Sequence, residues 1–209
     1  MTGTDPKADL HHYLRDARTA VVWKLDGLSE YDARRPLTPT GTNLLGLVKH
    51  LTSVELLYFG WAFDRPFPRF VPWFRPDLPP EEAPPNADKW ATPEESRAYI
   101  LGTYADACRH ADATIEALDL DALGTTPWLI GGPHTLHRLL THVIAECHRH
   151  AGHADIVREL IDGTAGLAPD IAFLPSGEAG WWAEYRDRVE KAAVSAPAEA
   201  SPSSGPDPA

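Results

Sequence analysis

The feature that most constrains this chain is one long helical pattern, from about Thr135 to Asp162. Its apolar residues Leu139, Val143, Ile156, Val157, Leu160 and Ile161 recur at three- and four-residue steps, and Gly163 is a natural stop. Six of the chain's 10 histidines lie between His134 and His153. At about 100° per residue, His142, Glu146, His150 and His153 share roughly one quadrant with Leu139, Val157 and Leu160. The polar stripe is therefore expected on the core-facing side.

A single histidine on such a face is usually an ordinary hydrogen-bonded core residue. A carboxylate with histidines one turn before and one turn after is different, because a buried charge is costly unless paired or coordinated. Side chains at i and i+4 lie about 6 Å apart along the axis and can converge on one ion. Imidazole and carboxylate suit zinc and similar divalent metals. Two ligands from one helix make a weak site, so a third must come from another helix. A solvated or internally paired His/Glu face is the alternative.

Three further helices are expected. The first spans residues 8–26, with Leu10, Leu14, Ala17, Val21 and Leu25 at helical spacing and His11 and His12 on its surface. The second spans residues 43–64 with Thr42 as its N-cap, and there His50 shares an inward face with Leu47, Val54, Leu57 and Trp61. Its other side, Val48, Leu56, Phe59 and Phe63, is also apolar and needs cover from the next loop or from a second subunit of a homodimer. The third runs from Thr92-Pro93-Glu94-Glu95, an N-cap, helix-starting proline and capping-box glutamate, to about Leu118.

Residues 65–92 hold eight prolines together with Phe67, Phe70, Trp73, Phe74 and Trp90. So long a loop either walls a pocket or covers the second helix. Thr125 to Ile130 is a candidate short strand, and Gly131-Gly132-Pro133 a turn into the long helix. Gly180 to Ala193 fits a short C-terminal helix, and the Ala/Pro/Ser/Gly composition from Ser195 reads as a disordered tail. The resulting expectation is an all-α domain over residues 1–194, a four-helix bundle with a polar site in its core, and a tail at 195–209.

An apolar content of 43% in 209 residues is enough for a real core. The net charge of -11 argues against nucleic acid as a partner, and no apolar run reaches membrane-spanning length. Cys108 and Cys147 are too few for a disulfide framework, and the first residues lack the basic and apolar regions of a signal peptide. A cytoplasmic protein with reduced thiols is expected.

Two runs carry a family resemblance: Leu44-Leu45-Gly46-Leu47-Val48-Lys49-His50-Leu51, and the stretch from His142 through Glu146, His150 and His153 to Asp155. Together they resemble the DinB-like superfamily over residues 8–163, in particular its mycothiol-dependent maleylpyruvate isomerases and thiol S-transferases and an actinobacterial branch. The resemblance implies a four-helix bundle binding a divalent metal, zinc in the first instance and nickel in the second, through His50, Glu146 and His150. Many relatives carry three histidines; the glutamate here is similar to the mycothiol group. Dimers occur among such proteins.

What the resemblance implies chemically is an open coordination position at which mycothiol or another low-molecular-weight thiol loses its proton and attacks an electrophilic substrate. His153 and His142 would then serve as supporting partners or proton carriers. Two alternatives stay open at this point: a hydrolase using a metal-bound water, and a metal-binding protein without turnover.

Overall fold

Asp5 starts the first helix, α1 (Pro6–Val22), by accepting the Lys7 N–H at 3.0 Å, with Pro6 at the first helical position. A 3-10 turn, Trp23–Leu25, extends it. A short helix, α2 (Glu30–Arg34), capped by Ser29, lies between the first two of the expected helices. The computed structural model describes residues 5–79, 82–127, 129, 132–172, 174–175 and 178–196, and they fall into two units, 1–172 and 173–209.

Helix α3 (Leu44–Glu55) begins on Asn43 rather than Thr42. The Asn43 side chain accepts the Gly46 N–H at 2.7 Å and donates to the carbonyls of Gly41 and Lys89, bonds a threonine hydroxyl could not all make. The helix does not run unbroken to residue 64. It widens into a π turn, Leu56–Gly60, then tightens into a 3-10 turn, Trp61–Phe63, before Asp64 turns the chain at φ 53°.

Helix α4 (Arg97–Ala117) starts on Ser96, five residues after the alanine that precedes the expected cap signal. Half of that capping box does form, since the Glu95 carboxylate accepts the Thr92 N–H at 2.8 Å. The same oxygen is held by the Lys49 ammonium at 2.6 Å, which leaves the segment a turn tied to α3 instead of a helix start. A two-stranded ribbon follows, β1 (Leu123–Gly124) antiparallel to β2 (His134–Thr135). Its two strands flank residues 125–130, where one strand is expected from the sequence; Trp128, Ile130 and Gly131 are outside the described residues.

Helix α5 (Leu136–Asp162) has both expected ends: Thr135 accepts the Arg138 N–H, and Gly163 closes the helix at φ 79°. The second unit contains α6 (Ala179–Val194), where Trp181 stacks on Tyr185 with centroids 5.5 Å apart. From residue 197 the expected tail lies outside the described residues.

In the first unit α1 lies along α5, while α3 packs on both α4 and α5. The buried line of α5 runs through Leu136, Leu140, Val143, Cys147, Ala151, Ala154 and Val157. Leu139 and Val157 are buried as expected, whereas Leu160, placed in the same quadrant, is 61% exposed, as is Ile156. From Cys147 to Ala154 small residues carry the buried line, and there it runs away from Ile156 and Leu160 by part of a turn. The His/Glu stripe therefore flanks the core instead of pointing into it. Of the second apolar face of the long second helix, Val48, Leu56 and Phe59 are buried and Phe63 is partly buried within this one chain, where α4 packs on α3 and the π turn. That face requires no second subunit.

A buried ionic network crosses the bundle. Arg18 on α1 donates two hydrogen bonds of 2.7 Å to Glu55 on α3 and one of 2.6 Å to Asp112 on α4. Burial opposes the guanidinium charge, yet the adjacent Glu55 more than offsets it and raises the Arg18 pKa. His11, expected on the surface with His12, instead sits 2.8 Å from Asp112 at the edge of this network. His12 is exposed as expected. Among the described residues no helix is long and apolar enough to cross a membrane.

Candidate metal centre

The site is built where the rims of α3 and α5 meet. On α5, Glu146, His150 and His153 each precede a buried residue, Cys147, Ala151 and Ala154, so each projects from the edge of the packed face. On α3, His50 follows the buried Lys49 and is likewise half-buried. His50, Glu146 and His150 each offer a ligand atom within 4.8 Å of the others. The imidazoles of His50 and His150 meet edge to face with centroids 4.8 Å apart. His150 Nε2 lies 3.5 Å from Glu146 Oε2.

The residues fit a divalent cation. Tetrahedral coordination with bonds of ~2.1 Å places donor atoms ~3.4 Å apart. The His150–Glu146 pair already has that spacing, and the His50 ligand atom lies within 4.8 Å of both, so it needs to close by no more than ~1.4 Å. The donor set of two imidazoles and one carboxylate carries a single negative charge and suits zinc-like ions.

Partners outside the triad orient it. His50 Nδ1 is 2.7 Å from Asp88 Oδ2, the carboxylate–histidine arrangement that leaves Nε2 as the nitrogen with a lone pair. Burial works against the Asp88 charge, but the His50 hydrogen bond and nearby Lys89 hold its carboxyl below the usual range. On the other side, His153 Nδ1 is 3.3 Å from His150 Nδ1. His142 does not join this group: its Nε2 meets the Tyr58 hydroxyl at 3.0 Å, on the π turn of the second helix.

Asp88 and Lys89 come from the proline-rich segment, and nothing in their local sequence marks them. Tertiary anchoring brings them in. Lys49, next to His50, donates to the Trp90 carbonyl at 2.9 Å and lies over the Trp73 ring. Gly46 permits the same docking, because a Cβ there would overlap the Lys89 carbonyl. The segment thus does both things open to it: Val71 and Trp73 are buried in the core, and residues near 89 wall the site. Only its unusual length signalled a functional part. The wall borders an open cavity of about 210 Å³ lined by His50, His150, His153 and Lys89, with Thr40, Thr42 and Asn43 among its other members.

Burial, then the neighbouring His50, pushes His150 down to about 4, with Glu146 opposing. Its imidazole is therefore neutral at pH 7 and offers a lone pair without first losing a proton. In the unfolded chain the same group titrates near the ordinary value of 6.5. As the pH falls below that value, the unfolded state takes up a proton the folded state refuses. Metal-free protein is thus expected to lose up to roughly 3 kcal/mol between about pH 6.5 and 4 from this group. Urea midpoints of wild type and His150→Asn across that range test it: the variant should show a shallower decline, and parallel curves would refute it.

A search of curated proteins finds no match. A family model described as Mycothiol-S-transferase matches residues 9–163, spanning α1 through α5 and all three residues of the triad. That match covers well over half of the chain and agrees with its helical bundle, so the chain belongs to the mycothiol S-transferase family, a DinB-like family.

Proposed function

We propose that this protein is a metal-dependent thiol S-transferase that joins a mycothiol-type thiol to a small electrophile. The observation that carries the reading is the convergence of His50, Glu146 and His150 beside a cavity, in a chain of this family. A divalent cation held there, zinc by donor preference, would supply the acidity that converts a neighbouring thiol to its nucleophilic form near neutral pH.

The chain's own residues do the rest. Asp88 holds the His50 ring through Nδ1, which would leave Nε2 as the nitrogen available to a cation. Glu146 contributes the negative charge that helps retain a cation. His153 lines the cavity and contacts His150, which supports a role for it in taking the thiol proton and returning it to solvent. A carbon–sulfur bond forms as the bond to the leaving group breaks, and the thiol proton and leaving group depart together as an acid. His142, tied to Tyr58 and not among the cavity residues, braces α5 against the second helix.

Elemental analysis combined with mass spectrometry of thiol–electrophile mixtures tests the proposal. Stoichiometric divalent metal and metal-dependent conjugate formation are expected. Stoichiometric metal with no conjugate from mycothiol or simpler thiols, but with ester or amide cleavage, would replace it with a hydrolase.

A further inference from the structure

The outer ridge of α5 is apolar where a solvent-facing ridge is ordinarily polar. Arg149, Gly152, Ile156, Glu159 and Leu160 are all exposed, and Ile156 and Leu160, one turn apart, each leave 61% of their surface open. Gly152 is the second anomaly. A glycine inside a helix loses more conformational freedom on folding than any other residue, and a Cβ here would meet nothing across from it within 4 Å. Its own chain does not require the missing side chain. Arg149 and Glu159 are the third anomaly: among the described residues neither side chain has a hydrogen-bond or ion-pair partner.

These residues complement one another when the helix is turned end for end. At about 100° and 1.5 Å per residue, Arg149, Gly152, His153 and Ile156 bound a diamond-shaped hole of the kind that receives a side chain from a facing helix. In an antiparallel pair with its two-fold axis at Ile156, the side chain over this hole is the partner's Leu160, four residues or about 6 Å beyond the axis. The absent Gly152 side chain deepens the hole. The partner's Glu159 comes to lie over Gly152, about one turn from Arg149 and within reach of its guanidinium. A parallel pair would instead set Arg149 against Arg149. One face thus supplies knob, hole and both signs of charge, as an isologous contact requires.

We infer that α5 pairs antiparallel with α5 of a second copy of this chain through this ridge. The contact is separate from the apolar face of the second helix, which the chain covers itself. It also reaches the metal centre. His153 borders both the hole and the cavity beside the triad, so the partner's Leu160 packs over His153 and adds an apolar wall there. The pairing rests on the ridge alone and holds whatever reaction the site performs. A single helix pair is small for a specific interface, so the dimer dissociates on dilution.

Sedimentation velocity of the full chain over a dilution series tests this. Wild type should pass from dimer to monomer. Ile156→Glu and Arg149→Glu, both at exposed positions, should raise the dissociation constant about tenfold or more with unchanged circular dichroism. Arg149→Glu combined with Glu159→Arg should restore much of the affinity, because the antiparallel pair brings these two together. Ile156→Cys, on the axis, should give a disulfide-linked dimer under a mild oxidant. A wild type that stays monomeric at high concentration overturns the inference, and slow reaction of Ile156→Cys with a thiol reagent in that monomer assigns the cover to another part of the same chain. A dimer indifferent to Ile156→Glu overturns it by placing the contact elsewhere. Failure of the double charge reversal to restore binding overturns the antiparallel arrangement.

Discussion

Glu55→Ala is expected to destabilise the protein by about 3–5 kcal/mol, the usual cost of stranding one member of a buried ion pair. Glu55 is fully buried and receives two 2.7 Å hydrogen bonds from Arg18, itself almost inaccessible. Without the carboxylate, the guanidinium keeps its charge and retains only Asp112, which is partly open to water. The cost lies in desolvating an unpaired cation more than in the value of the pair. Replacing both residues, as Arg18→Met with Glu55→Leu, should therefore recover much of the loss. Urea unfolding of the single and double variants measures this. A single-variant loss below about 1 kcal/mol would mean that Asp112 alone satisfies Arg18.

His50→Ala and His150→Ala are each expected to purify without stoichiometric metal, while His142→Ala keeps it. The first two remove donors from the convergent triad, and the third removes a ring bonded to Tyr58. Asp88→Ala should fall between them, since loss of a carboxylate that orients a ligating histidine weakens metal affinity about 10–100-fold. Removing a ligand should cost more than that. Elemental analysis after gel filtration, with circular dichroism to verify the helical fold, provides the readout. Full occupancy in His50→Ala, or loss in His142→Ala, would break the assignment.

The all-α class and the ends of α5 were legible in the sequence because their determinants are local. Thr135 and Gly163 act on the residues beside them, and a helical period is a property of a single segment. The helical spacing of Glu146 and His150 likewise guarantees that they share a face, whatever packs around them. His50 and the α5 ligands were matched through the family resemblance, which carries tertiary knowledge that one sequence does not.

Other features depend on which surfaces meet. The start of α4 moved to Ser96 because Lys49, distant in sequence, claims the glutamate of a sound local cap. The buried line of α5, against which α1 packs, passes through the small residues Cys147, Ala151 and Ala154 in its second half, and Leu160 and the His/Glu stripe lie to one side of it. His11 left the surface because Asp112 and Arg18 stand across from it. By itself the sequence determined the all-α class, the ends of α5 and the ligand spacing along it, since hydrogen bonds and side-chain period act within a few residues. Only the tertiary structure decided that Asp88 and Lys89 join the site, because their positions depend on Asn43, Gly46 and Lys49 docking a loop some forty residues away in the chain.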